Sequence, residues 1–109
     1  MNSSITNKVG ILLALPPSHE SATIVHGLAQ AALTGGHDVY LYLIDEGVKN
    51  LHSPLYQQLA RSGVKTFACA YGCQQHHVPT ADLDSSVSLS GLVVLSNIID
   101  ACDPFLSFT

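Results

Sequence analysis

Three short, nearly unbroken apolar runs, each followed by residues that turn the chain, constrain this protein more than any other feature. Lys8 to Leu15 reads KVGILLAL, His37 to Ile44 reads HDVYLYLI, and Val64 to Cys69 reads VKTFAC. Runs of this length without polar alternation are the pattern of strands covered on both faces. Between them the apolar spacing becomes helical. Ile24, Val25, Leu28, Ala29, Ala32 and Leu33 follow Pro16-Pro17-Ser18, with Ser18 the expected N-cap, and Gly35-Gly36 ends the helix. A second helix opens on Ser53-Pro54, a cap followed by proline at the first helical position. Leu55, Tyr56, Leu59 and Ala60 form its apolar face and Gly63 stops it.

Ala70 to His77 is expected to make one or two helical turns, and Val78 to Ser88 an irregular connection. Leu89, Leu92, Val93, Leu95, Ile99 and Cys102 give a last helical stripe. Asp103-Pro104 breaks it, because the residue before proline disfavours the α region. Phe105 to Thr109 (FLSFT) reads as a final short strand, and residues 1–7 as a loose polar end. Strands alternating with helices through short turns imply right-handed crossovers. The expectation is one α/β domain over residues 1–109, a mostly parallel sheet with helices on both faces.

Composition narrows the function classes. A chain of 109 residues holds one ordinary domain, and 47% hydrophobic content excludes a disordered one. Four Lys and Arg in all, with no basic run, argue against nucleic acid as a partner. The run Val9 to Leu15 is far short of a membrane span and makes a poor signal peptide, so no membrane association and a cytoplasmic location are expected. Only 11% of residues are charged, where a small domain usually carries about a quarter. Twelve charges cover a small globule thinly, so self-association is favoured over a monomer with a Ser, Thr, Gln and His exterior.

The cysteines are Cys69, Cys73 and Cys102, an odd number that does not suggest a disulfide framework. In open α/β sheets ligands gather beyond the carboxyl ends of the strands. Pro16 to Ser18, Asp45 to Gly47 and Cys69 to Gly72 fall there, and only the last holds a strong nucleophile. Backbone N–H groups at the start of a helix favour a thiolate at Cys69. Cys69 reads equally well as the last small apolar residue of its strand. Cys73, one turn further on, is an auxiliary candidate as a resolving thiol, although the spacing is not C-x-x-C. Cys102 is assigned to the core.

His76 and His77 are read as a solvated face, because C-x3-C-x2-H-H is not a structural zinc spacing. His19 and His26 belong to the first helix and its start, His37 to a strand edge, and His52 precedes a cap. Asp45 and Glu46 read as an ordinary acidic turn. The sequence holds no G-x-G-x-x-G, Walker loop, H-E-x-x-H or G-x-S-x-G, and no cofactor or metal is expected.

The stretch V-K-T-F-A-C-A-Y-G-C-Q-Q-H-H-V, Val64 to Val78, resembles the cysteine segment of the DsrE/DsrF-like family, which includes TusD-like sulfur-relay subunits. The N-terminal apolar strand, the Gly-rich turn after the first helix, S-P-L-Y-Q-Q-L-A-R-S-G-V and the closing D-A-C-D-P-F-L-S-F fit as well, so the resemblance covers nearly the whole chain. It implies a five-stranded sheet and a sulfur-accepting role for Cys69, whose thiolate would take sulfur from a donor persulfide and pass it to an acceptor thiol. Where relatives often carry basic residues, this chain has Gln74, Gln75, His76 and His77. The implied partners are sulfur donor and acceptor proteins and a homo-oligomer, trimer or hexamer, or a hetero-oligomer with related subunits. The alternative is a non-catalytic ligand-binding or scaffolding subunit of the same fold.

Overall fold

The structure, a computed structural model, describes residues 7–109. Its elements run β1 (Lys8–Leu13), α1 (Glu20–Thr34), β2 (Asp38–Leu43), a 3-10 helix (Asp45–Asn50), α2 (Pro54–Ser62), β3 (Lys65–Cys69), α3 (Ala70–Gln75), β4 (Val87–Ser90), α4 (Leu92–Ala101) and β5 (Phe105–Phe108). All four strand pairings are parallel, and the order across the sheet is β4-β3-β2-β1-β5. The chain steps outward from β1 to β4 and returns across the sheet to β5. Right-handed crossovers then place α1 and α2 on one face and α4 on the other. The helices cover the sheet unequally.

On the α1 and α2 face the register aligns Ile11, Leu41 and Thr66, then Leu13, Leu43 and Ala68, and all six are buried. Val25 and Ala29 of α1 and Tyr56 and Leu59 of α2 close over them in one continuous core. Each such fully buried aliphatic side chain contributes about 1.5–3 kcal/mol relative to exposure. The Tyr56 hydroxyl donates to the Ala22 carbonyl at 2.6 Å and ties α2 to α1. Burial pushes that phenol well above its ordinary range. The α4 face holds Gly10, Leu12, Tyr40, Tyr42 and Phe67. A Cβ on Gly10 would lie 2.9 Å from Cys102 Cβ and 2.6 Å from the Phe105 ring, so the missing side chain is what lets the end of α4 approach β1.

Local signals set most boundaries. Ser53 is the N-cap of α2 with Pro54 at the first helical position, and Gly63 ends it in the left-handed region at φ 119°. The α1 cap is His19 and not Ser18: the His19 ring accepts from the Ser21 N–H. The expected acidic turn is the opening of the 3-10 helix Asp45–Asn50. The expected loose end lies outside the described residues except for Asn7. That residue is tied down, its N–H donating to His37 Nδ1 and its carbonyl accepting from Asp38.

Two further corrections concern the C-terminal third. The expected irregular connection ends in a strand, β4, and Leu89 belongs to it and not to the last helix. The approach to β4 is clipped in place. Arg61 Nε meets Asp84 Oδ2 at 2.6 Å and His52 Nε2 meets the Pro79 carbonyl at 2.8 Å. Hydrogen bonds from the Ser86 hydroxyl and N–H, and then from Arg61, hold the Asp84 carboxyl well below the usual carboxylate range. The last helix carries Ser96, Asn97 and Asp100 on one exposed side and buries only Ile98 among its residues, leaving the apolar Leu92, Val93 and Ile99 exposed as well. Cys102 caps it and is buried, as expected of a core residue. Among the described residues no helix is long and apolar enough to cross a membrane.

Candidate functional site

Cys69 is both the last residue of β3 and the N-cap of α3. β3 is apolar enough to be buried throughout its inner half, and the chain leaves it by turning directly into α3 without a loop. This makes the thiol the first side chain above the sheet. The Gly72 N–H donates to Cys69 Sγ at 3.4 Å. Gly72 is required there by packing: a Cβ would sit 3.2 Å from Val48 Cγ1 and 3.4 Å from the Asp45 nitrogen. The cysteine is 6% exposed, and what it shows faces a cavity of about 600 Å³.

The cavity opens at the carboxyl ends of β2, β3 and β4, where the topology predicts a site. Ile44, Ala70, Tyr71 and Leu92 supply apolar wall, and Asp45, Gln75 and Ser90 supply polar groups. Behind it lies Tyr42, fully buried and stacked on Phe67 with the rings 6.5 Å apart and 12° from parallel. Its hydroxyl donates to the Gly91 carbonyl at 3.0 Å and lies 3.4 Å from the Ser90 carbonyl. Burial, and to a smaller extent the neighbouring Cys69, push this phenol up, so it remains a proton donor to the β4–α4 junction.

Asp45 and His76 meet here, although they lie 31 positions apart in sequence. His76 Nε2 is 2.8 Å from Asp45 Oδ1, which latches the end of α3 to the start of the 3-10 helix. The expectation of a solvated His76 fails, since its side chain is only 21% exposed; His77 is exposed, with a left-handed backbone at φ 56°. Asp45 also adopts that region, at φ 51°, which turns its carboxylate back toward α3. Nothing within one segment announces this pair. The signal available was only that both residues flank strand-tip segments.

Cys73 points inward, 1% exposed, and does not line the cavity. Burial, with Cys69 nearby, pushes its thiol up, which keeps it protonated. All three cysteines are free. His19, His26, His37 and His52 stand away from the cavity, each in the structural position the sequence suggests or in a cap. Among the described residues no three His, Cys, Asp or Glu side chains converge as metal ligands would.

Fold and site together define a class: small parallel α/β domains with a cysteine at the carboxyl end of a central strand, beside a cavity at the strand tips. The profile of the DsrE/DsrF-like family matches residues 7–108, and the chain belongs to that family, which is connected in general with sulfur relay. Two solved structures share the fold. The ychN protein from E. coli is similar with a TM-score of 0.80 at 20% identity, over 95% of this chain and 100% of that one. The protein of unknown function MTH1491 from Methanobacterium thermoautotrophicum is similar with a TM-score of 0.72 at 15% identity, over 94% and 97%. A search of curated proteins finds no match.

Proposed function

We propose that this protein carries sulfur as a persulfide on Cys69, receiving it from a donor and passing it to an acceptor thiol in the cytoplasm. The observation that carries the reading is the placement of Cys69 Sγ, at a strand tip, beside the cavity and under the Gly72 N–H. In the loading step the Cys69 thiolate attacks the outer sulfur of a donor persulfide. A new S–S bond forms as the donor S–S bond breaks, and the donor leaves as a thiolate. Unloading is the same exchange run onto the acceptor. Both are redox-neutral, so unpaired cysteines in a reducing compartment suit them. Cys73 serves as a buried auxiliary that backs the α3 turn.

The test is intact-mass analysis of the reduced protein after incubation with inorganic polysulfide. The wild type should gain sulfur and lose it again to an acceptor thiol, Cys69→Ser should gain none, and Cys73→Ala should still load. Sulfur retained by Cys69→Ser, or none on the wild type, refutes the carrier and leaves the non-catalytic binding subunit as the reading.

The protein works as a homo-oligomer built on the outer face of α4. Val93 is 76% and Ile99 45% exposed, apolar surface that a domain with so few charges gains by covering. Light scattering should return a multiple of the monomer mass for the wild type and the monomer mass for Val93→Asp. A monomeric wild type refutes the assembly.

A further inference from the structure

The cavity beside Cys69 is larger and more apolar than a bare sulfur atom requires. Its volume of about 600 Å³ is that of a small-molecule site, and its mouth is rimmed by Tyr71 and Leu92, both well exposed. Among its lining residues Asp45 alone carries a formal charge, and that charge is negative. The four basic side chains stand elsewhere. Lys49 is engaged by Glu46 at 3.0 Å and Arg61 by Asp84 at 2.6 Å. Lys65 lies over the Tyr40 ring and Lys8 begins β1, both at the opposite, amino end of the strands. The remaining polar groups, Gln75 and Ser90, are neutral, and the Ser90 Oγ is buried with no hydrogen-bond partner among the described residues.

We propose that this cavity takes a low-molecular-weight persulfide or thiol whose sulfur is borne on an uncharged, apolar group, and that it discriminates against anionic sulfur compounds. The inference rests on Cys69 being the sulfur acceptor. An apolar substituent gains by leaving water against Ile44, Tyr71 and Leu92. A carboxylate or sulfonate carried beside the sulfur would lose hydration against the apolar wall, with no Lys or Arg there to receive it and with His76 already turned onto Asp45. The chemistry is the balanced exchange already given, with an apolar R group. R–S–SH meets the Cys69 thiolate, Cys69–S–SH forms, and RS⁻ leaves and takes a proton from solvent. No oxidant or reductant is consumed.

The experiment compares initial rates of sulfur gain on Cys69, by intact mass, from benzyl persulfide, glutathione persulfide and inorganic polysulfide. Each rate is divided by that of the same donor with a free cysteine derivative, which removes intrinsic donor reactivity. The normalised rate for benzyl persulfide should exceed that for glutathione persulfide by about tenfold or more, the scale on which apolar pockets discriminate. Leu92→Lys, a change at an exposed position, should bring the ratio toward one. A wild-type ratio near one, with Cys69 still loading, overturns the specificity and leaves the carrier standing. Failure of Cys69 to load from any donor, polysulfide included, overturns the carrier and the specificity with it.

Discussion

Replacing Gly47 by alanine is expected to cost about 3 kcal/mol or more, the upper end of what overpacking a filled site costs. Gly47 lies in the first turn of the 3-10 helix and is buried against the end of β1. An added Cβ would stand 1.9 Å from the Leu13 carbonyl oxygen and 2.7 Å from its carbon. Those are backbone atoms with no rotamer to escape into. The Leu13 carbonyl also accepts the Ile44 N–H, and the Gly47 carbonyl accepts from the buried Asn50 side chain, which donates to Leu15 as well. Relieving the clash therefore disrupts the junction that carries β2 into the site. Chemical denaturation should show a midpoint lowered by a large fraction, since a domain of this kind has only about 5–15 kcal/mol in total. Gly27→Ala is the control. Gly27 sits inside α1 with open space around it, so the same substitution there should stabilise by about 0.5–1 kcal/mol. Equal midpoints for the two variants would contradict the packing described.

Tyr42→Ala should destabilise by about 3–5 kcal/mol, the usual cost of truncating a buried aromatic side chain. The ring is fully buried and stacked on Phe67, and α4 offers too little cover to collapse into the space. Tyr42→Phe separates the hydroxyl from the ring. It keeps the stack and loses the hydrogen bond to the Gly91 carbonyl, a net loss of about 1 kcal/mol. Amide hydrogen exchange in Tyr42→Phe should speed up at Gly91 and Leu92, where the β4–α4 junction rims the cavity, and not in α1. Denaturation midpoints of the two variants that coincide would show that the hydroxyl, and not the ring, holds this face.

Much of the architecture was legible because its causes are local. β1, β2 and β3 are covered on both faces or close to it, so their sequences are apolar runs whatever their partners. The caps of α2, Ser53-Pro54 and Gly63, announce themselves for the same reason. β4 was not legible: V-S-L-S is an edge strand with one neighbour, two of its four residues are exposed, and it runs into an apolar helix after a single glycine. The resemblance implied a fifth strand that periodicity alone did not locate. The α1 cap went to His19 because an imidazole nitrogen reached the Ser21 N–H, a choice between adjacent acceptors that spacing does not decide.

The site divides in the same way. The sequence alone determined a parallel α/β domain and put Cys69 at the tip of its third strand, because burial pattern and turn residues act over a few positions. Only the tertiary structure decided what surrounds that thiol. Asp45 reaches His76 across 31 positions and Tyr42 reaches Gly91 across 49, contacts that exist only once parallel strands bring their carboxyl ends to one edge. The same packing turned Cys73 into the core, where desolvation keeps it protonated, and left the outer face of α4 in water. Side-chain direction and cover depend on which elements become neighbours, and no segment of this chain encodes its neighbours by itself.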